Sequence, residues 1–208
     1  MVTNSRYKSF AELSRSECEG ISYQRTVKKR RSGLAIIAPH GGGIEPGTSE
    51  LACAIASSLF SYYTFDGLKR ERNKLLHITS TLFDEPQCLQ LINESETVVA
   101  IHGCVGYKKA IIVGGLHDEL RFCVMNALVK EGFKAYLAGR DYAGTQPQNV
   151  CNRGRSGRGI QLEISADLRR TMFKRLDREG RKITTDVFRM FVASIQKELI
   201  SAAKGTGV

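Results

Sequence analysis

Two side chains that can bind zinc, His40 and Glu45, stand close together in a glycine-rich stretch of the chain. Gly41, Gly42 and Gly43 lie between them, and glycine permits tight backbone turns that other residues resist. Imidazole and carboxylate groups are both common zinc ligands, so a tight turn lets these two side chains reach one ion. The stretch therefore predicts a metal-binding loop.

Two further candidates, His102 and Glu163, each end an apolar segment of the kind that forms buried strands, and His40 follows a third such segment. Ligand sites in open α/β sheets lie outside the carboxyl ends of strands, so these side chains can meet if their strands are neighbours. His40, Glu45 and His102 form a set of two histidines and one carboxylate, which leaves a position on zinc for water. Glu163 is the candidate general base, which passes the proton of that water to the leaving nitrogen.

Each of these residues also has a structural interpretation. A histidine at a strand end is often held by hydrogen bonds, because buried polar groups find partners. His77 and His117 compete as metal ligands. His77 falls in a predicted strand, which favours a core or supporting role, and His117 begins a predicted helix, which favours a cap or surface role.

A long segment without periodicity, residues 139–159, precedes Glu163. Structureless loops of this length in compact proteins are usually functional. Arginine binds carboxylates with two parallel hydrogen bonds, and glycines allow a ligand to approach the backbone. We expect this loop to bind an anionic substrate beside the metal, the alternative being a solvated flexible loop. The candidate substrate-binding residues are Asn152, Arg153, Arg155 and Arg158.

The pattern of apolar residues predicts alternating strands and helices, and hence an α/β fold with a mixed, mostly parallel sheet covered by helices on both faces. Thr48 or Ser49 is the predicted N-cap of the first long helix. We expect residues 1–208 to form a single catalytic domain, with residues 1–20 as a candidate peripheral segment. Strands are predicted at residues 21–30, 34–38, 62–65, 75–79, 98–101, 110–113, 134–137 and 160–164.

The composition is that of a globular protein with an excess of positive charge. The 208 residues carry a formal net charge of +10, which favours an anionic partner such as nucleic acid, an acidic polymer or a membrane surface. No two of the six cysteines are spaced as C-x-x-C, which argues against a zinc site built from thiolates. We expect most of the cysteines to be reduced and buried. No segment has the apolar character of a signal peptide or a membrane span, so we expect synthesis in the cytoplasm.

Three motifs resemble the bacteriophage poly-γ-glutamate hydrolases, which are similar in fold to the zinc carboxypeptidases. The first motif, residues 38–50, is long and specific, and the second, residues 100–103, is less so. The third consists of residues 149–154 together with residues 159–164. The resemblance extends from about residue 23 to the helix after Glu163 and covers nearly the whole chain.

The resemblance implies a zinc-dependent, endo-acting hydrolase that cleaves the γ-glutamyl amide bonds of the poly-γ-glutamate capsule. It implies zinc on His40, Glu45 and His102, with Glu163 as the base. The carboxypeptidase motif has two residues between its first His and Glu, whereas this chain has four, so the loop geometry must differ. For a phage enzyme, release at host lysis would bring the protein to an extracellular capsule.

Two alternatives stay open at this point. A zinc amidohydrolase or peptidase that acts on another acidic acyl or peptide substrate needs the same residues. A nucleic-acid-binding protein would use the basic run at residues 28–31 and the arginines of the long loop at residues 139–159, here called the arginine loop. The chain lacks the basic patches interleaved with aromatic residues that such a protein needs to stack on bases. We expect the protein to act on an anionic polymer and to have no nucleic-acid or membrane partner. We also expect it to be a monomer.

Overall fold

The computed structural model describes residues 6–205, and a seven-stranded sheet runs through the centre of this part of the chain. The strand order is β1-β3-β2-β4-β7-β5-β6. Two pairs, β1 with β3 and β5 with β7, are antiparallel, and the other pairs are parallel. The predicted mixed, mostly parallel sheet is thus confirmed. The strands are β1 (Tyr23–Lys28), β2 (Leu34–Gly42), β3 (Ser61–Gly67), β4 (Thr97–Cys104), β5 (Ala110–Gly115), β6 (Lys134–Leu137) and β7 (Ile160–Ser165).

Helices cover both faces of the sheet, as predicted. One face carries α2, α4, α5 and α6, whose apolar side chains form a core cluster with Ile36 of β2. The other face carries α1 and α3, which pack with the next residue of β2, Ile37. Neighbouring residues of a strand point to opposite faces, so a strand covered on both sides is apolar throughout. The helices are α1 (Phe10–Ser16), α2 (Thr48–Ala56), α3 (Pro86–Asn93), α4 (Asp118–Lys130), α5 (Ala166–Met172) and α6 (Asp186–Gly205).

The strand predicted at residues 75–79 is absent, and that prediction is wrong. Asn73–Leu76 forms a 3-10 turn instead, and it follows Arg72, whose φ of 59° is left-handed. Leu76 and Ile78 are both buried, which produces the alternation of a strand in the sequence. Because β2 is already paired with β3 on one side and β4 on the other, this segment has no place beside it in the sheet.

The predicted N-cap of α2 is also wrong. The cap residue is Gly47, which has a φ of 100° and no side chain to accept a hydrogen bond. The Thr48 hydroxyl donates to the Glu45 carbonyl at 2.9 Å, and Ser49 serves the preceding glycine turn. Both side chains are thus engaged with the loop that precedes the helix.

Two residues near the beginning of the described chain belong to the core. Tyr7 and Leu13 are buried in the cluster beneath α1 and α3, whereas most of the other residues in 6–20 are exposed; residues 1–5 lie outside the described residues. All six cysteines are free, but only Cys88, Cys104 and Cys151 are buried, so the expectation that most are buried is wrong. Within residues 6–205, no helix combines the length and apolar character needed to cross a membrane.

Candidate active site

Three neighbouring strands bring the predicted residues together. β4 lies between β2 and β7, and all three run in the same direction, so their carboxyl ends meet at one edge of the sheet. His40 lies near the end of β2, His102 near the end of β4 and Glu163 near the end of β7. The buried apolar residues that precede each of them hold the three strands in the sheet, and the ends of the strands therefore determine where these side chains lie.

The glycine turn folds Glu45 back onto His40. The backbone N–H of Glu45 donates to the carbonyl of His40 at 2.8 Å. Gly42 has a φ of 62°, and a Cβ at this residue would lie 2.6 Å from the carbonyl oxygen of Gly67. The backbone N–H of Gly103 then donates to Oε2 of Glu45 at 2.8 Å. The four-residue spacer thus closes into a turn that directs Glu45 toward β4.

Ligand atoms of His40, Glu45 and His102 converge on one point. The two Nδ1 atoms are 3.2 Å apart. Oε1 of Glu45 lies 3.4 Å from His40 Nδ1, and Oε2 lies 3.7 Å from His102 Nδ1, so the carboxylate bridges the two rings. Around tetrahedral zinc with bonds of about 2.0–2.1 Å, neighbouring ligand atoms are about 3.4 Å apart. The three side chains therefore hold the spacing of three corners around a single ion, and their donor atoms suit zinc.

The second ring nitrogen of His40 fixes the orientation of the ring. Nε2 lies 2.7 Å from the carbonyl oxygen of Ile78. Because a carbonyl can only accept, Nε2 carries a hydrogen, and Nδ1 faces Glu45 and His102. Histidines that bind metals commonly donate their other N–H to a carbonyl or carboxylate in this way.

His77 offers an alternative third ligand. Its ring stacks on the ring of His40 with centroids 3.9 Å apart, and ligand atoms of His40, Glu45 and His77 lie within 4.8 Å of one another. The set that contains His102 is tighter, with separations of 3.2 to 3.7 Å. Burial, followed by the charge on His40, lowers the pKa of His77 to about 3. A neutral imidazole is the form that binds metal, so this pKa does not exclude His77. The tighter spacing favours His102 as the ligand, with His77 as a support for the His40 ring.

The electrostatic field of the site depends on carboxylates and imidazoles in contact. Burial raises the pKa of Glu45, but the charges and hydrogen bonds of His40 and His102 outweigh burial and hold that pKa well below its ordinary value. Burial lowers the pKa of His102, but the hydrogen bond with Glu45 and the charge of Glu163 outweigh it and raise that pKa. Glu45 is thus held as the anion that a cation requires.

Glu163 has the properties of a base poised near neutral pH. Glu163 is only 8% exposed, and it is paired with His102 across strands β4 and β7. Burial raises the pKa of the Glu163 carboxyl to about 7, the charge on His102 opposes the shift, and the charge on Glu45 adds to it. Gln161 donates from Nε2 to Glu163 Oε1 at 3.4 Å. A general base is most effective when its pKa lies near the working pH.

Arg169 is a component of the site that no sequence pattern indicates. It is buried on α5, and its guanidinium donates to the carbonyl of Ile164 at 3.0 Å and to the carbonyl of Pro46 at 2.5 Å. Burial lowers the pKa of Arg169, while the carboxylates of Glu45 and Glu163 oppose that shift. The residue ties the metal loop to β7 and sets a positive charge near both carboxylates. Because only the fold brings this helix to the loop, no local signal could have identified it.

Ser49 and Asp66 form a second support that the sequence did not indicate. The Ser49 hydroxyl donates to Asp66 and accepts the backbone N–H of Gly42 at 3.2 Å. Thr64 donates to the other oxygen of Asp66 at 2.7 Å. A Cβ at Gly41 would lie 1.8 Å from Ser49 Oγ, so this contact requires glycine there. The pair braces the turn between the two predicted ligands.

Two arginines of the long loop at residues 139–159, Arg155 and Arg158, do not lie beside the predicted metal ligands. Arg155 pairs with Glu96 at 3.3 Å, and Glu96 immediately precedes β4, six residues before His102. At about 3.3 Å per strand residue, this places the pair roughly 20 Å from His102, at the amino edge of the sheet. Arg158 lies at the same edge, two residues before β7 begins. The expectation of guanidinium groups beside the metal is therefore wrong for these two residues, because the loop ends where β7 begins.

The other two candidate substrate-binding residues have different surroundings. The Asn152 amide accepts from the backbone of Leu116 and Gly159 and donates to the carbonyls of Gly144 and Gln146. Its hydrogen-bonding capacity is used within the protein, which makes Asn152 a structural residue of the loop.

Arg153 donates to the carbonyl of Phe83 at 2.9 Å, in the segment that also supports His40. Arg153 thus contacts the same segment as His40, a predicted metal ligand. His117 accepts the backbone N–H of Leu120 at 3.4 Å and is the N-cap of α4, as expected.

Comparison with known proteins places the chain in a family. The sequence model of the poly-gamma-glutamate hydrolase family matches residues 7–194. The SPbeta prophage-derived protein YoqZ of Bacillus subtilis (strain 168) is 41% identical over 195 residues, which cover 92% of this chain and 70% of that protein.

Two solved structures share the whole architecture. A bacteriophage poly-gamma-glutamate hydrolase superimposes with a TM-score of 0.93 at 33% identity, covering 96% of this chain and 98% of the other. The zinc-free form of YndL gives a TM-score of 0.91 at 34% identity, covering 96% and 99%. YndL, a protein of Bacillus subtilis (strain 168), is 37% identical in sequence over 180 residues, which cover 86% of this chain and 71% of that protein. The chain therefore belongs to the poly-γ-glutamate hydrolase family.

Proposed function

We propose that this protein is a zinc-dependent hydrolase that cleaves γ-glutamyl amide bonds within poly-γ-glutamate. The observation that carries the proposal is the convergence of His40, Glu45 and His102 at separations of 3.2 to 3.7 Å, with Glu163 opposite His102. Two similar solved structures support the two parts of the proposal. One similar structure is of a bacteriophage poly-γ-glutamate hydrolase, and the other is described as a zinc-free form.

His40, Glu45 and His102 would hold the zinc ion, which supplies Lewis-acid polarisation of the scissile carbonyl and a more acidic water. The protein residues perform the proton transfers. Glu163 accepts the proton of the attacking water and donates it to the amide nitrogen as the C–N bond breaks. The Ile78 carbonyl holds His40 by its Nε2–H, and Gly103 holds Glu45, so neither ligand has to reorient during the reaction.

The net charge of +10 suits a substrate with one free carboxylate on every residue. Arg169 sets a fixed positive charge beside Glu45 and Glu163, where negative charge develops on the carbonyl oxygen of the substrate. We further propose that the enzyme cuts bonds in the interior of the polymer and acts on capsule material outside the producing cell. It acts as a monomer in this proposal.

The experiment is digestion of long poly-γ-glutamate, with the products sized by chromatography. We expect an early fall in average chain length with little release of free glutamate. Poly-α-glutamate of equal length, which has the same charge but a different amide linkage, should remain intact. Cleavage of both polymers at similar rates would replace this proposal with a hydrolase of acidic amides in general.

A further inference from the structure

We propose that a cavity beside the first turn of α5 is a carboxylate-binding subsite for a part of the polymer remote from the cleaved bond. The proposal rests on the proposed function. The cavity has a volume of about 880 Å³, within the usual range for ligand sites. Its lining includes Lys108, Lys109, Lys134 and Arg170.

The charges around this cavity favour an anion. Glu131 and Asp167 are the carboxylates in its lining, and Asp167 is paired with Arg170 at 2.6 Å. In the described part of the chain, no carboxylate lies within ion-pair distance of Lys108 or Lys134. Four cations against two carboxylates leave a net positive charge of two around the cavity.

The floor of the cavity suits the hydrocarbon part of the same polymer. Leu168, Val187 and Phe133 contribute apolar surface, and Met190 is 45% exposed. A γ-linked glutamate unit carries two methylene groups in its main chain and a carboxylate on its branch. An apolar floor with a rim of lysines therefore matches both halves of the repeating unit.

The chain itself connects the cavity to the catalytic edge of the sheet. Gly103 donates to Glu45, and the loop that follows it carries Lys108 and Lys109 to the start of β5. Because β7 lies between β4 and β5, this loop crosses the carboxyl end of β7, where Glu163 stands. β6, which begins at Lys134, is two strands from β7, or about 10 Å across the sheet. Glu163 alternates with Leu162 and Ile164, which face α5 and α6, so Glu163 points to the opposite face, and a polymer that occupies both sites must pass around the carboxyl edge of β7. A long polymer can span this distance, whereas a single γ-glutamyl amide cannot.

The test compares a long polymer with a small γ-glutamyl amide in the zinc-loaded protein. The subsite variant is Lys108→Gln/Lys134→Gln, which leaves Lys109 in place because its φ of 47° is left-handed. The control is Lys28→Gln/Arg31→Gln, which removes the same charge from exposed positions at the amino edge of the sheet. We expect KM for the polymer to rise about threefold to tenfold in the subsite variant only, with kcat and turnover of the small amide unchanged.

An unchanged KM for the polymer, or an equal rise in the control variant, would overturn the subsite. A second measurement separates the subsite from the proposed function. Fluorescence anisotropy of labelled poly-γ-glutamate measures binding to Glu163→Gln protein with and without the two lysine substitutions. Weaker binding in the triple variant supports the subsite even if the wild-type protein cleaves no polymer, which would refute only the proposed function. Double-stranded DNA that binds as tightly as the polymer, and equally depends on these lysines, would assign the cavity to nucleic acid and overturn the proposal.

Discussion

His102 and Glu163 are paired directly across two adjacent parallel strands, β4 and β7. One is a candidate metal ligand and the other is the candidate base, so the sheet itself sets their separation. A slip of one residue in the pairing would turn either side chain to the opposite face. The buried strands on both sides prevent such a slip, which gives the proposed chemistry a rigid geometry without help from loops.

The pH dependence of the reaction follows from the environment of Glu163. Its pKa is raised from 4.5 to about 7 by burial, and the base acts only when it is ionised. We expect kcat/KM to rise with pH along a limb that lies above the ordinary glutamate pKa and reaches up to about 7. Rates on the polymer measured across this range locate the limb. A limb centred at or below 4.5 would contradict the assignment.

The metal-free protein should lose stability as pH rises through the same range. Between 4.5 and about 7 the folded state keeps a proton on Glu163 that the unfolded state has released, so the free energy of unfolding falls with pH. Glu163→Gln removes this slope and should stabilise the metal-free protein above pH 7 by on the order of 2 kcal/mol. Urea unfolding with chelator present measures the effect, and Glu71→Gln, at an exposed residue, is the control. Equal slopes in wild type and Glu163→Gln would refute the buried carboxyl.

The two histidine sets can be told apart by substitution. If His102 is the ligand, His102→Ala should lower zinc affinity by at least about a thousandfold, since a three-residue site loses one ligand. His77→Ala should lower it only about tenfold to a hundredfold, because the ring supports His40. Competition with a chromogenic chelator gives both constants. The reverse order would make His77 the ligand.

The brace of the glycine turn predicts an effect on the metal without an effect on the fold. Ser49→Ala removes both the acceptor for Gly42 N–H and the donor to Asp66. We expect zinc affinity to fall about tenfold, as for other residues that orient ligands, while the metal-free protein stays folded and loses about 1–2 kcal/mol of stability because Gly42 and Asp66 lose a buried partner. Ser201→Ala, at an exposed residue of α6, is the matched control. An unchanged zinc affinity would show that the turn holds its shape without the brace.

The residues at the strand ends are predictable from the sequence, because an apolar run identifies a buried strand and the polar residue that follows the run lies at the end of that strand. His40, His102 and Glu163 each follow an apolar run, and parallel neighbours bring such ends together. The position of the arginine loop is not predictable in this way, because proximity in sequence to Glu163 does not determine at which edge of the sheet a loop lies. Arg155 precedes β7, so it belongs to the amino edge, opposite the predicted metal site.

Other features could not be predicted from a local pattern at all. Ile78 is buried, so the segment that contains it has the alternating pattern of a strand. Its actual role is different, because the Ile78 carbonyl accepts the hydrogen bond from His40 Nε2. Arg169 reaches the site from a helix whose position depends on the packing of the whole sheet. Ser49 occupies a position typical of a helix cap and instead braces a turn. Each role depends on contacts between residues distant in the chain.

The central claim is that His40, Glu45 and His102 hold one zinc ion on which hydrolysis depends. The most direct measurement is a titration of metal-free protein with zinc, following bound metal and cleavage of poly-γ-glutamate in the same samples. We predict that activity rises linearly and reaches its plateau at one zinc per chain, and that Glu163→Gln binds the same amount of zinc while its activity is lower by about a hundredfold or more. Full activity in the metal-free protein, or no saturable zinc binding, would contradict the account.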